Sequence, residues 1–279
     1  MELYTFDNLT QATIIKRPSK HIRSPYVADI CLQDNDTQYL GHTPSLGCCG
    51  LSDNGNDVLV STLGDKTKCD YRVEIAIVKT KEHIIYVGIS PKLAEHIINK
   101  ALQKNLIQNL EVKTINREKT IMNSRFDFVG KTVNNRFYIC EVKNVPLADY
   151  ADVGRKELSK MNFDNKKYNE KIAYFPDGYR KTKNGPVSER ALKHINELRK
   201  IKEINNDIRC ILLFVIQRTD VKWFQPSRRD PVYLEALRDA WQRGVEIKCL
   251  QVQWDNTGKC RYYSNNLPIM LYDDYNLYY

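Results

Sequence analysis

The stretches Ser124-Arg125-Phe126-Asp127-Phe128 and Ile139-Cys140-Glu141-Val142-Lys143 lay two acids and a lysine on alternating patterns. In the first, Arg125 and Asp127 alternate with Phe126 and Phe128. In the second, Ile139, Glu141 and Lys143 alternate with Tyr138, Cys140 and Val142. A period of two residues predicts strands. Between them, Lys131-Thr132-Val133-Asn134-Asn135-Arg136 carries an Asn pair, which tolerates the positive φ of a tight hairpin loop. A hairpin centred near Asn134 sets Asp127 opposite Glu141. Facing Cβ atoms in such a pair lie roughly 4.5–5.5 Å apart, and carboxylates that close repel unless a cation lies between them. Oxygen donors alone suit a hard ion, Mg²⁺ or Mn²⁺, rather than zinc. Lys143, two residues beyond Glu141 on the same face, brings an ammonium that holds a water or neutralises a phosphate. The competing reading of the same alternation is the wet face of a half-buried sheet.

At 279 residues the chain has room for about two domains of ~150 residues each, and each is large enough to bury a core. A hydrophobic share of 42% with 10% aromatics argues for globular structure and against disorder. Lys and Arg outnumber Asp and Glu by 43 to 34, a net charge of +9 that suits a polyanionic partner. The eight cysteines form no CxxC pair, and no signal peptide is evident. The expectation is a reduced, soluble, intracellular protein of the cytoplasm, nucleoid or nucleus. Vicinal Cys48-Cys49 reads as buried thiols ahead of a redox or metal pair. No run of about 18 apolar residues exists, so no membrane span is expected. The loop from Gly41 to Gly50 lacks the ending of a P-loop and the spacing of a nucleophile elbow, which argues against nucleotide hydrolysis and serine esterase chemistry.

Up to about Lys81 the signals are short strands, Ala12–Ile15, Tyr26–Leu32, Val58–Thr62 and Tyr71–Val78, broken by Gly, Asp, Asn and Pro, as in a small barrel or sandwich. A helix follows Pro91 with Leu93, Ile97, Ala101 and Leu102 on one face. The composition turns to mixed α and β here, which places a boundary at 82/83. The lysine-rich stretch 148–171 lacks an apolar stripe and reads as a long exposed insertion. A further helix carries Leu192, Ile195, Leu198, Ile201 and Ile204, with Lys193, His194, Arg199 and Lys200 outside the seam. The nearly all-apolar strand Cys210–Ile216 suits a sheet covered on both faces. Helix 231–243 and strand 245–253 complete an α/β unit.

Several blocks in this order carry a resemblance. They are SRFDF at 124–128, EVKNV at 141–145, Phe175-Pro176-Asp177, Ser188-Glu189-Arg190-Ala191-Leu192-Lys193-His194, Phe224-Gln225-Pro226, Asp230-Pro231-Val232-Tyr233, Lys16-Arg17, Tyr26-Val27-Ala28-Asp29 and His42-Thr43-Pro44. The chain resembles the sugar fermentation stimulation protein A family over most of its length. The resemblance implies an OB-like N-terminal β-barrel over 1–82 and an α/β domain similar to PD-(D/E)XK (restriction-endonuclease-like) nucleases over 83–279. It implies Asp127 and Glu141 as metal ligands, joined by the backbone carbonyl of Val142, Lys143 as the catalytic lysine, and Glu118 as a further acid. Pro176-Asp177 belongs to a separate family block, a turn or the border of the cleft. Arg125, Arg190, Lys193, His194, Lys16 and Arg17 are candidate contacts to nucleic acid. The family pattern departs at Ser45-Leu46-Gly47-Cys48-Cys49-Gly50 and at 148–171. Two functions follow as expectations. One is a nuclease dependent on Mg²⁺ or Mn²⁺ that acts on DNA, with RNA as second candidate; the other is a DNA-binding or regulatory protein without turnover, in which Tyr26 and Tyr39 are candidates for base stacking. The oligomeric state is left open, and a carbohydrate-modifying role has no constellation behind it.

Overall fold

The computed structural model describes residues 1–34, 37–45, 50–64, 67–178 and 185–272. The chain begins with strands β1 (Glu2–Thr5), β2 (Thr10–Lys16), β3 (Val27–Leu32), β4 (Gln38–His42), β5 (Asp57–Thr62), β6 (Tyr71–Lys79) and β7 (Ile84–Gly88). β2 to β7 are hydrogen-bonded in the order β4-β3-β2-β5-β6-β7, and β4 also meets β6 through Gly41↔Tyr71 and His42↔Arg72. The four expected strands correspond to β2, β3, β5 and β6. β1, β4 and β7 were not expected, because strands of four or five residues carry too few positions to display an alternation. The strand run reaches Gly88, past the expected boundary at 82/83, since β7 pairs with β6 over five residues and with β15 only at Trp254↔Tyr86.

Helix α1 (Pro91–Gln103) follows, started by a proline whose fixed φ suits the first turn. It buries Leu93, Ala94, Ile97, Ile98, Ala101 and Leu102. The antiparallel strands β8 (Val112–Ile121), β9 (Ser124–Thr132) and β10 (Phe137–Val145) come next. The β9–β10 register runs from Phe137↔Lys131 to Cys140↔Phe128, which centres the hairpin at Asn134. Asn135 takes a φ of 59° in its loop, as an Asn can. At Gly130 a Cβ would lie 1.9 Å from the Thr114 carbonyl oxygen, so only glycine lets β8 approach β9 this closely.

The remaining elements are β11 (Ala148–Asp149), α2 (Arg155–Leu158), β12 (Lys171–Phe175), α3 (Glu189–Ile204), β13 (Arg209–Ile216), β14 (Val221–Pro226), α4 (Pro231–Gln242), β15 (Glu246–Trp254) and β16 (Lys259–Ser264). β10, β13 and β15 are parallel neighbours at the centre of a 13-stranded sheet, while β11, β12 and β14 form a small sheet of their own. The fold is thus mixed α/β and dominated by sheet. Ile211, Leu213 and Val215 pack towards α1, whereas Cys210, Leu212, Phe214 and Ile216 pack towards α3 and α4, which is why β13 is apolar on both faces. The first of these clusters also holds Leu3, Leu59, Ile75 and Ile77 from the N-terminal strands. α3 starts where Ser188 Oγ accepts the Ala191 N–H, and α4 where the Asp230 carboxylate accepts the Tyr233 N–H. Ile204, expected in the α3 seam, is exposed at the helix end.

Segment 148–171 is exposed over most of 155–169, as expected, and carries the short helix α2, but it is not loose. Its ends are tied down: Asp152 accepts from the Gln225 amide, the Ser227 hydroxyl and the Arg228 N–H. Lys171 is buried against Asp220 at 2.7 Å, and Arg218 grips the same carboxylate through both oxygens. These anchors are single polar residues scattered along the chain, so no periodic signal marks them. Among the described residues, no helix is long and apolar enough to cross a membrane.

Candidate active site

The site lies where the β9–β10 ladder stops. The last backbone pair is Cys140↔Phe128. One residue further, Asp127 Oδ2 accepts the Val142 N–H at 2.7 Å, so a side chain takes over from the ladder and the strands part. The N–H and C=O of one strand residue point to the same edge. The Val142 carbonyl therefore faces the edge that holds Asp127. The two buried rings beside Asp127 serve different clusters: Phe128 packs in the one beneath α1, and Phe126 in the one beneath α3. The period-two reading holds along β9, where Ser124, Phe126, Phe128, Gly130 and Thr132 are buried and the residues between them are not.

Glu141 and Lys143 point to the α3 side and are buried, at 2% and 9% exposure, so they are not the wet face of a sheet. Lys143 Nζ donates to Glu141 Oε1 at 2.5 Å. His194 Nδ1 from α3 bonds the same oxygen and lies 3.4 Å from the ammonium. Glu141 Oε2 is buried with no hydrogen-bond partner. Burial works to raise the Glu141 carboxyl, but Lys143 and His194 outweigh it and hold it below the ordinary range. Asp127 goes the other way. Burial first, then the Glu141 and Glu95 charges, push its carboxyl up to about 7, against the opposing Val142 N–H and Lys143. One acid is thus held ionised while its neighbour sits near neutrality.

Two groups near this pair escaped the sequence reading. Glu95, on α1 and 3.4 Å from Arg117, acts on Asp127 by its charge. The Tyr233 hydroxyl, from α4, is buried without a partner; burial, then the Glu141 and Asp230 charges, keep it protonated. Neither stands in a motif with the two acids, and only the packing of α1 and α4 brings them close.

The other candidates are spread out. Glu118 does not join the acids. It is half exposed on β8, at a φ of 52°, with Arg125 at 3.6 Å, and the charges acting on Asp127 are those of Glu141, Glu95 and Lys143. His194, expected outside the helical seam as a contact to nucleic acid, is instead buried on Glu141. Arg125 and Arg190 are exposed, and Lys193 reaches the Asn123 carbonyl in the turn before β9. Lys16 is exposed at the end of β2, whereas the Arg17 guanidinium braces the Pro25 and Ser45 carbonyls at 2.8 Å. Asp177 pairs with Arg229 at 3.1 Å. Tyr26 is exposed beside His42, and Tyr39 packs edge-on against Tyr71. Leu46 to Cys49, including the vicinal cysteines, lie outside the described residues.

Among the described residues, no group of three or more His, Cys, Asp or Glu side chains is arranged to hold a metal. Two carboxylates with a backbone carbonyl still fit a hard divalent ion, which takes one or two carboxylates and completes its shell with water and phosphate oxygen. The orphaned Glu141 Oε2 and the charge-starved Asp127 carboxyl are the observations that carry this fit.

The model of the sugar fermentation stimulation protein RE domain matches residues 92–155 and 160–258. The chain belongs to the sugar fermentation stimulation protein family. Curated family homologues include one from Clostridium novyi, 27% identical over 250 residues, covering 87% of this chain and 90% of the relative. Another, from Clostridium tetani, is 30% identical over 251 residues, covering 86% and 88%. The solved structure of Pyrococcus furiosus SfsA in complex with Ca²⁺ is similar in fold, with a TM-score of 0.71 at 18% identity over 97% of this chain and 99% of that one.

Proposed function

We propose that this family member is a nuclease dependent on a divalent cation, Mg²⁺ or Mn²⁺, with DNA as its substrate and RNA as the alternative. The carrying observation is the gathering of Asp127, Glu141 and Lys143 at the point where β9 leaves β10, with one Glu141 oxygen buried and unpartnered. Asp127, Glu141 and the Val142 carbonyl would hold the cation. When bound, it supplies Lewis-acid polarisation of the phosphodiester and lowers the pKa of water. His194 and Lys143 share Glu141 Oε1, which orients the carboxylate and leaves Oε2 free for a ligand. Lys143 then stands ready to stabilise charge on the attacking oxygen or on the phosphate. The Ca²⁺ bound by the Pyrococcus furiosus relative is an oxygen-seeking ion of the same kind.

The order α1, β8–β9–β10, α3, then β13 parallel to β10 supports a PD-(D/E)XK-like reading of the region after 83. The second β4–β6 pairing supports an OB-like barrel before it. The net charge of +9 and the exposed Arg125, Arg190 and Lys193 support a nucleic-acid partner.

Cleavage of end-labelled single-stranded DNA, duplex DNA and RNA with Mg²⁺, Mn²⁺ or EDTA tests the proposal. Metal-dependent cutting lost in Asp127→Asn and Lys143→Ala is the expected result, and full activity in Asp127→Asn overturns it. A second reading, binding without turnover, draws on the contact that ties Lys143 to Glu141. Binding without cutting under every condition favours it.

A further inference from the structure

Away from the acidic pair, the loop between β6 and β7 faces the segment after β11 across a cleft of about 700 Å³. Two aromatic pairs line it. His83 stacks on Tyr168 with ring centroids 3.6 Å apart, and Tyr150 on Phe163 at 5.1 Å. All four rings are half-buried, so part of each stays open to a ligand. Lys81, Lys166 and Lys167 stand exposed along the walls, with Glu82 and Asp164 as the opposing acids. The charged side chains of the lining are three lysines against two acids, so the wall is basic on balance.

Half-open ring faces beside exposed ammonium groups match bases and phosphates in one ligand. Every base offers a π-face to an aromatic ring, and lysines follow the backbone without regard to sequence. A drug-sized apolar ligand would call for a mostly apolar lining instead. The cleft is also within reach of the chemistry. Tyr150 follows Lys143 by seven residues, so their Cα atoms are at most about 25 Å apart, a distance that several nucleotides span.

We propose that this cleft holds a single strand of nucleic acid leading to or from the acidic site, an inference that rests on the nucleic-acid reading above. A duplex keeps its bases stacked on one another and has no free faces for these rings, so the cleft selects the single strand.

Fluorescence anisotropy in EDTA, where no metal-dependent cutting occurs, tests this with labelled oligothymidylate and oligouridylate of ~15 bases and a DNA duplex of equal length. Tyr168→Ala and Phe163→Ala are each expected to weaken single-strand binding about tenfold while leaving duplex binding unchanged. Tyr168→Phe keeps the ring and the affinity. The double variant Lys166→Glu, Lys167→Glu is expected to weaken single-strand binding and flatten its log–log salt slope by about 1.4. These two side chains are exposed, so this variant decides the matter if an alanine variant melts early. Unchanged single-strand affinity in the lysine variant and the folded ring variants overturns the cleft alone. So does an equal loss for strand and duplex. If the natural chain binds none of the probes, the cleft and the nucleic-acid reading fall together.

Discussion

Asp127 and Glu141 lie side by side, yet the protein treats their charges oppositely. Glu141 is served by Lys143 and His194, while Asp127 has one backbone N–H and two acids nearby. The sign of the pH effect follows. An acid whose folded pKa is about 7, against ~3.9 unfolded, stabilises the fold most below about pH 4 and loses that contribution as pH rises through 7. In thermal melts in EDTA, the stability of the natural chain relative to Asp127→Asn is therefore expected to fall between about pH 4 and 8, by roughly 2–4 kcal/mol. Mg²⁺ or Mn²⁺ is expected to restore stability to the natural chain more at pH 8 than at pH 5. A difference between the two proteins that does not change with pH would contradict this account of the site. His194→Ala removes one of two donors to a buried carboxylate. We expect a loss of about 1–3 kcal/mol in urea unfolding and a 10- to 100-fold weaker metal affinity by titration calorimetry, roughly the cost of removing an outer-shell partner.

At the scale of elements, a buried polar clasp is formed by Lys171 from β12 and Arg218 gripping Asp220 just before β14. Asp220→Ala would leave two cations without their acid in a buried place. A loss of about 3–5 kcal/mol in chemical denaturation is expected, and a loss under 1 kcal/mol would show that water already reaches the cluster. How far the elements could be read from the sequence depended on their length and pattern. α1, α3 and β10 carry periodicity, β13 a continuous apolar run, and the hairpin loop at Asn134 its turn chemistry, so these were legible. Short strands such as β4 and β7 have no room for a pattern. The acids Asp127 and Glu141 and Lys143 were visible because two strands adjacent in sequence display them. Glu95 and Tyr233 were not, since α1 and α4 reach the site only through tertiary packing. Glu118 was named by the resemblance alone, and on β8 its side chain is paired with Arg125.

For the whole molecule, the charge excess predicts how nucleic acid should bind. Affinity for duplex DNA is expected to fall with salt at a log–log slope of about −0.9 per phosphate contacted. Filter binding between about 50 and 200 mM salt would reveal this, and an interaction indifferent to salt would point to a partner of another kind. A last consequence comes from the apolar cluster under α1, which takes Leu3, Leu59, Ile75 and Ile77 from the first eighty residues and Ile97, Cys140 and Leu213 from the rest. Cutting the chain after β7 would strip one wall from that cluster and leave β16 without β1 along its edge. Such a fragment would be sticky and prone to clump, even with every acidic residue of the site intact. The leading strands are thus a foundation on which the trailing half stands, and a worker trimming the protein to its smallest active piece would find that they cannot be spared.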